Sequence, residues 1–267
     1  MKKLKLTKSI TSAAVLGFTI YLAAAYLAVP ALWAHYEHQP GLAQLPMVTT
    51  TRQGIPGDPI NVGLVGNAQD IATAMAAAKW YSADPVNSRT SMEIAGSVML
   101  RRAYVHAPVS PLFYDGRKQD LAFEKPAGKD AAQRHHVRFW KVLDKGEEGR
   151  PVWLGAATFD QGVGFSHFTG QITHHIGGDV DGERNQLIDD LVSSQRVTTL
   201  YQVSGVGPTI GAKNGGGDYY YSDGEIKFAV IAPQAALQNS PPVESLPSAV
   251  VFYKDMIWAA ATGQRGR

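Results

Sequence analysis

Two pairs of neighbouring histidines, His135-His136 and His174-His175, are the residues of this chain best suited to carry chemistry. Each pair lies in a stretch rich in aromatic and β-branched residues, which predicts a strand. Neighbouring side chains of a strand point to opposite faces of the sheet, so only one histidine of each pair can reach a given site. This alternation places His136 on the same face as Arg138. Histidine transfers protons near neutral pH and, when neutral, binds zinc-like ions.

These residues predict a polar site on one face of a sheet, where His136, Arg138 and His175 converge beside Asp160 or Asp179. Arginine binds phosphate or carboxylate through its planar fork, so the set favours hydrolysis of an ester or a phosphoester. The catalytic candidates are His136, His175 and Asp160, and the ligand-binding candidates are Arg138, Arg117, His174 and Asp179. The alternative is that the histidines are partly buried sheet residues, hydrogen-bonded to their neighbours or to the backbone.

No metal ligand is assigned, because neither histidine pair has a zinc spacing such as His-Glu-x-x-His, and the question of a cofactor stays open. The segment Asp179–Glu183 is similar to the start of a calcium loop, but an EF-hand needs a glutamate six residues after its glycine. In this chain that position is Ile188. Acidic residues at the positive end of a helix are the better explanation of this segment.

Two further segments could bind an anion. The glycine-rich stretch Lys213–Asp218 could hold one through backbone N–H groups, although such a stretch is also typical of a hairpin connection. Arg117 and Lys118 precede a predicted strand, where they form either a solvated turn or the rim of a site for an anionic small ligand.

The elements that must position these residues mix strand and helix patterns without regular βαβ alternation. Residue patterns predict strands over 60–65, 120–125, 135–142, 152–159, 171–176, 198–203 and 225–231. They predict helices over 68–79, 90–101, 179–194 and 250–261. This order predicts an α+β fold, in which helices pack on one face of a mixed, mostly antiparallel sheet.

The N-terminus predicts one transmembrane helix ahead of this domain. Four lysines within residues 1–9 precede an uncharged run from Ser9 to Ala34, and the next basic residue is Arg52. The apolar core of that run is about 20 residues, or about 30 Å of helix, which matches one hydrocarbon thickness. Basic residues only before the span orient the N-terminus toward the cytoplasm. The alternative is a cleavable secretory signal, whose apolar region is normally shorter.

The chain therefore divides into five segments. Residues 1–9 form a cytoplasmic basic stub, 10–34 a signal-anchor helix with Trp33 and Tyr36 as an interfacial aromatic belt, and 35–58 an extended linker rich in proline and glycine. Residues 59–232 form the globular domain, and 233–267 a proline-containing linker with a short helix. That helix is expected to dock on the domain through Phe252, Met256, Ile257 and Trp258. The alternative is a helix lying on the membrane surface.

Composition excludes several classes of function. The chain has no cysteine, which removes disulfides, thiolate nucleophiles and cysteine metal sites. Four of its 25 basic residues lie in the stub, which leaves 21 against 23 acidic residues in the translocated part. A nearly neutral domain does not favour nucleic-acid binding, which needs a basic face.

Several segments resemble the LssY C-terminal domain family, in order, over roughly residues 55–232. They are DPINVGLVG (58–66), APVSPL (107–112), GRKQDLAFE (116–124), RHHVRFW (134–140), WLGAAT (153–158), THHI (173–176) and NGGGD (214–218). The resemblance implies a bacterial envelope protein. Some members carry this domain behind multi-spanning regions of the lipid-phosphatase or DedA-like type, and the family name comes from a proposed type I secretion component. No reaction or catalytic residue carries over, and a chain with one predicted span does not inherit the activity of those membrane regions.

Three hypotheses about function follow. The first is a single-pass protein of the bacterial inner membrane whose periplasmic or other extracytoplasmic domain has an accessory or ligand-binding role. The second is a hydrolase that uses the histidine–arginine face. The third is a scaffold for other envelope membrane proteins, which would pair with its transmembrane helix or its tail.

Overall fold

The computed structural model describes residues 2–33, 38–83, 111–127, 133–168, 170, 172–204 and 212–262. Its helices are α1 (Lys2–Ala23), α2 (Val29–Trp33), α3 (Ala68–Ala77), α4 (Val180–Ser193) and α5 (Ala249–Thr262). Its strands are β1 (Val48–Thr50), β2 (Pro56–Pro59), β3 (Val62–Val65), β4 (Tyr81–Ser82), β5 (Phe113–Tyr114), β6 (Arg117–Lys118), β7 (Leu121–Pro126), β8 (Arg134–Leu143), β9 (Val152–Phe165), β10 (Ile172–Ile176), β11 (Val197–Ser204), β12 (Ala212–Lys213), β13 (Tyr219–Tyr220), β14 (Glu225–Ile231) and β15 (Val243–Glu244).

The N-terminal helices form one long apolar segment. α1 continues through a π-helical stretch, Ala24–Ala28, into α2. Within it, Ile10–Ala31 is long and apolar enough to cross a membrane, and it is not buried against the rest of the protein. The predicted helix is therefore confirmed, and it is consistent with a membrane-anchored protein. The aromatic belt predicted for Trp33 and Tyr36 falls outside the described side chains.

The centre of the domain is one large sheet with the strand order β15-β11-β14-β3-β9-β8-β7-β4, in which β10 pairs with β9 as a branch. β3 runs parallel to β14 and β15 parallel to β11, and the other pairs are antiparallel. The predicted α+β class with a mixed, mostly antiparallel sheet is confirmed. The predicted helix over 90–101 lies outside the described residues.

One face of the sheet is covered by helices, as predicted. Ile71 and Met75 of α3 and Leu187 and Ile188 of α4 pack with Phe139 of the sheet in one buried apolar cluster. Because an α-helix buries one apolar stripe, these spacings place the polar sides of both helices outward.

The other face is covered by a second, smaller sheet with the order β2-β1-β5-β6. Leu42 and Ile60 lie in the same buried cluster as Tyr114 and Trp140, and the rings of Tyr114 and Trp140 are 5.7 Å apart between centroids. The expectation that residues 35–58 form an extended linker is therefore wrong for 39–58. The physical reason lies in β3, whose residues Val62–Val65 are all buried, because a strand that is apolar on both faces needs a cover on each side.

The C-terminal helix α5 is attached differently from the prediction. Val251 is buried and Gln202 donates a hydrogen bond to Asp255 at 2.9 Å, so the helix does touch the domain. However, Phe252, Met256 and Ile257, which were expected to dock, are each more than half exposed. α5 also contacts α2, at the C-terminal end of the apolar segment.

Candidate functional site

A cluster of polar side chains lies on the face of the large sheet that the small sheet covers. Arg134, His136 and Arg138 of β8 alternate along the strand and are all buried. In the neighbouring strand β9, Thr158 is the register partner of His136 and Asp160 is the partner of Arg134. Directly opposite residues of an antiparallel pair have side chains within contact distance. The predicted sharing of one face by His136 and Arg138 is confirmed.

His136 connects the two strands of this cluster. Its Nε2 atom lies 2.6 Å from Thr158 Oγ1 and 2.8 Å from Arg138 Nη1. Because arginine can only donate, Nε2 must be the acceptor, and the proton of the neutral ring then lies on Nδ1. Nδ1 faces Asp160 Oδ1 at 3.1 Å, although the alignment is too poor for a full hydrogen bond. Nε2 is therefore bound by protein groups, whereas Nδ1 contacts Asp160 without a well-formed hydrogen bond.

Buried ion pairs hold the two arginines. Arg134 donates to Asp160 and to Glu124, at 3.0 Å in each case, and Arg138 donates to Asp58 at 3.1 Å. Burying a paired charge costs several kcal/mol of desolvation, so such pairs rarely raise stability above that of an apolar core of similar volume. Networks of this kind occur both at functional sites and as purely structural ion pairs.

Charges in the cluster shift the pKa values of its members. Burial alone would raise the pKa of Asp160, but His136, His174 and Arg134 together hold it well below its usual range. Burial lowers the pKa of Arg138, and Asp58 and Asp160 oppose that shift. Burial lowers the pKa of His174 to about 4, although the Asp160 carboxylate favours its charged form. At neutral pH the cluster therefore holds an ionised Asp160 and an uncharged His174.

The cluster borders a cavity of about 290 Å³ that is open to solvent. Its wall also includes residues from the loop after β1, from the segment just before β5, from the end of β9 and from β10, and from the glycine-rich loop after β12. Arg52 lies at the mouth, is exposed, and makes no hydrogen bond or ion pair with any residue that the structure describes. The charged and histidine residues of the wall are Arg52, Asp58, Arg134, His136, Arg138, Asp160 and His174.

The second histidine of the cavity is His174, one of the predicted ligand-binding residues, whereas sequence analysis expected His175 to converge with His136 and Arg138. His174 Nε2 is buried and has no hydrogen-bond partner among the described residues. His175 instead pairs with Asp218, with 2.6 Å between Nδ1 and Oδ1, outside the cavity wall. The pairing of β10 with β9 shifts at this point: Ile176 faces Asp160 and His175 faces Gly162, so Gln161 is an extra residue. A β-bulge of this kind re-aims the side chains that follow it.

Two other predicted ligand-binding residues lie elsewhere. Asp179 is the N-cap of α4, where its side chain accepts a hydrogen bond from the Gly182 N–H at 2.8 Å. This supports the helix-start explanation of the acidic segment. Arg117 begins the exposed strand β6, directly after a turn, and donates to the Lys141 carbonyl at 2.8 Å, so the solvated alternative describes it better than the rim of a site.

The glycine-rich loop is a hairpin connection between β12 and β13. The N–H groups of Gly216 and Asp218 donate to the Asn214 side chain, and that of Gly217 donates to the Asn214 carbonyl. Three of the groups expected to cradle an anion are therefore used to shape the loop itself.

Sequence reasoning missed Asp58, Arg134, Thr158 and Arg52. Arg134 could have been found, because positions 134, 136 and 138 alternate onto one face of the same strand. Asp58 and Arg52 belong to the segment interpreted as a linker, and the position of Thr158 depends on strand register.

A second buried charged cluster lies at the N-terminus of α4. Arg184 binds Asp223 through both Nη atoms, at 2.8 and 2.9 Å. Asp181 accepts hydrogen bonds from the Ser222 hydroxyl and the Asp223 N–H, at 3.0 and 2.7 Å. Burial raises the pKa of Asp181 to about 6, while Arg184 opposes the rise and Asp223 adds to it. The cluster ties the first turn of α4 to the segment that leads into β14.

The chain matches the LssY C-terminus family over residues 42–226. Comparisons with curated proteins and with solved structures found no match. The matched range includes the small sheet and all the cavity residues, from Arg52 to the glycine-rich loop. Because the match covers more than half of the chain, this protein belongs to the LssY C-terminus family.

Proposed function

We propose that this protein is a membrane-anchored binding protein whose domain, held on the outer side of the membrane, takes a small anionic ligand into the cavity beside His136 and Arg138. The observation that carries the proposal is the cavity itself. Buried charged side chains, paired with one another, line an open space of about 290 Å³. A site of this size with a few convergent polar groups is typical of small-ligand binding.

Attachment to a membrane is supported at both ends of the chain. The lysines before the apolar helix favour a cytoplasmic N-terminus, which leaves the domain outside. α5 supports a position at the bilayer surface, because its exposed Phe252, Met256 and Ile257 lie on a helix that contacts the outer end of the apolar segment. Apolar side chains on such a helix lower the free energy when they enter the interfacial layer.

The charge of the wall favours an anion. Among the residues that line the cavity, Arg134 and Arg138 are already paired with Asp160 and Asp58. The remaining formal charge is that of Arg52 at the mouth. A ligand with a phosphate or carboxylate group would contact Arg52, while His174 Nε2, buried and without a partner in the described structure, would form its second hydrogen bond.

Hydrolysis is supported less well. Thr158, His136 and Asp160 are arranged in the order of a nucleophile, a base and an orienting carboxylate, with separations of 2.6 and 3.1 Å. However, Thr158 is fully buried and does not border the cavity, so a substrate in the cavity could not reach its hydroxyl. We therefore favour binding over catalysis.

The binding test uses the full-length protein in detergent, titrated separately with inorganic phosphate and with acetate and followed by calorimetry. We expect one of these anions to bind at a single site. Arg52→Ala should weaken binding by about 3- to 10-fold and His174→Ala by about 10-fold, which correspond to one exposed and one buried hydrogen bond to a charged group. Arg117→Ala is the matched control, because it removes an exposed arginine that is remote from the cavity wall.

Two results would contradict the proposal. Either neither anion binds the wild-type protein, or Arg52→Ala binds the anion as tightly as Arg117→Ala and the wild-type protein do. The position of the domain is tested separately by adding protease to intact spheroplasts. Degradation of the domain without lysis is expected, and protection until lysis would place it in the cytoplasm.

A further inference from the structure

The side chains of His167, His175 and Asp218 meet at the edge of the large sheet, outside the cavity wall. They come from three separate segments: the turn after β9, strand β10, and the loop between β12 and β13. Their potential ligand atoms all lie within 4.8 Å of one another. Sequence analysis assigned no metal because it searched for ligands spaced along one helix, whereas here the tertiary fold assembles them.

We propose that these three residues form a binding site for a divalent transition-metal ion, of which Zn²⁺ fits best. Two histidines and one carboxylate, with a fourth position open to water, are a common zinc ligand set. Zn–N and Zn–O bonds of about 2.0–2.1 Å require ligand atoms about 3.4 Å apart in a tetrahedral site. His167 is exposed, so rotation of its side chain can supply the remaining movement of about 1 Å.

The other two ligand side chains already lie next to each other. An ion would replace the hydrogen bond between them and move its two atoms about 0.8 Å further apart, to the separation of a tetrahedral site. Asp218 Oδ1 lies 2.6 Å from His175 Nδ1, while its Oδ2 accepts the Ile176 N–H at 3.1 Å. A side-chain Cβ at position 164 would lie 2.5 Å from His175 Nε2, so only glycine leaves room for this ring. Ligands that are oriented before the ion arrives lose less conformational entropy on binding.

The backbone also brings His167 to the loop that carries Asp218. The His167 N–H donates to the Gly216 carbonyl at 2.9 Å. Gly217 has φ +92°, and a Cβ there would lie 2.6 Å from the Cβ of His167, so glycine is required for this close approach. The backbone therefore holds the two segments next to each other before any side chain binds an ion.

The chain contains a matched pair that lacks the third ligand. His135 Nδ1 lies 2.7 Å from Glu183 Oε2, and the histidine side chains are 21% exposed in that pair and 28% in the His175–Asp218 pair. No third histidine or acidic residue completes a metal-binding group around His135 in the part of the chain that the structure describes. A histidine–carboxylate pair alone is an ordinary hydrogen bond, so His135→Ala is the control for the proposed site.

The test uses full-length protein in detergent, purified without a histidine tag and stripped with a chelator. Equilibrium dialysis against Zn²⁺ with metal analysis should give one ion per chain, and Co²⁺ should give the intense visible absorption of a tetrahedral site. Zn²⁺ at about 100 times Kd should raise Tm by about 5–10 °C. His167→Ala and Asp218→Asn should each weaken Zn²⁺ binding by about 100-fold or more, and His135→Ala should leave it unchanged.

His167→Ala is the decisive variant, because an exposed side chain can be removed without disturbing folding. Circular dichroism confirms that each variant is folded. The proposal is overturned if the wild-type protein binds no Zn²⁺ under these conditions, if folded His167→Ala binds it as tightly as the wild type, or if His135→Ala weakens binding as much as His167→Ala. Because none of these readouts involves an anion, their failure would leave the cavity proposal unaffected.

Discussion

Two clusters of buried charged side chains in the described part of the domain differ in the groups that surround them. At the start of α4, Arg184 is bound through both Nη atoms by Asp223, and Asp181 is bound by Ser222 and the backbone of residue 223. This cluster connects a helix to the chain segment beside it. In the cavity cluster, Arg134 and Arg138 come from one strand and border the cavity of about 290 Å³. Arg184 borders a separate cavity of about 370 Å³, so a neighbouring cavity is common to both clusters.

The difference shows that buried charge alone does not identify a site. Both clusters contain arginine–carboxylate pairs at 2.8–3.1 Å, and both have strongly perturbed pKa values. In the Arg184 cluster, Asp223 pairs with the arginine, and these contacts fix the start of α4. In the cavity cluster, His174 keeps a buried nitrogen without a partner among the described residues, and Arg52 adds a cation at the mouth. A group left for a ligand is the feature that separates the two.

The largest expected effect is on the Arg184 cluster. Arg184→Met should lower the free energy of unfolding by about 3–5 kcal/mol, because it leaves the buried Asp181 and the half-buried Asp223 without their cation. Anion binding at the cavity should not change in the folded fraction. Denaturant unfolding of the full-length protein measures the loss, with Arg117→Met as the control. A loss below about 1 kcal/mol would mean that this cluster is not a structural ion pair.

An intermediate effect is a pH dependence of opposite sign in the two clusters. The pKa of Asp181 is raised to about 6, so its contribution to stability is present below pH 4 and is lost as the pH rises through 6. The pKa of His174 is lowered to about 4, so its contribution is present above about pH 6.5 and is lost as the pH falls through 4.

Variants should separate these two contributions. Asp181→Asn should make stability rise more steeply from pH 4 to 6.5, and His174→Gln should make it rise less steeply or fall. Each change should amount to about 1–3 kcal/mol over that range, because one pKa unit corresponds to about 1.4 kcal/mol. Melting curves in a buffer that contains a chelator measure the slopes. If both variants change the slope of stability against pH in the same direction, the prediction that the two clusters have opposite pH dependence is wrong.

The smallest expected effect is on the exposed strand β6. Arg117→Ala should change the free energy of unfolding by no more than about 0.5 kcal/mol, because its contact with Asp120 is solvent-exposed at 3.6 Å. Affinity for phosphate or acetate should also be unchanged. Weaker anion binding in this variant would mean that Arg117 belongs to the rim of the binding site and that the site extends beyond the cavity cluster.

Local patterns in the sequence predicted many of the strands and helices of the fold. The strand over 225–231 was predicted with the bounds that the structure gives, and the helix over 179–194 begins at its predicted acidic cap. These features depend on neighbours within a few residues, which the sequence displays directly. The segment 39–58 was misjudged because prolines and glycines are also used in short strands and turns that cover a sheet.

The sequence by itself determined that an apolar helix precedes the domain and that His136 and Arg138 share one face, since both follow from helix length and from the two-residue repeat of a strand. Only the tertiary structure decided which residues meet them. The register of β8 with β9 places Asp160 beside His136. One extra residue in β9, Gln161, shifts the pairing with β10, so that His174 faces the cavity and His175 faces Asp218. Side chains from distant segments meet through strand pairing and packing, and a one-residue shift in that pairing changes the face to which every later side chain points.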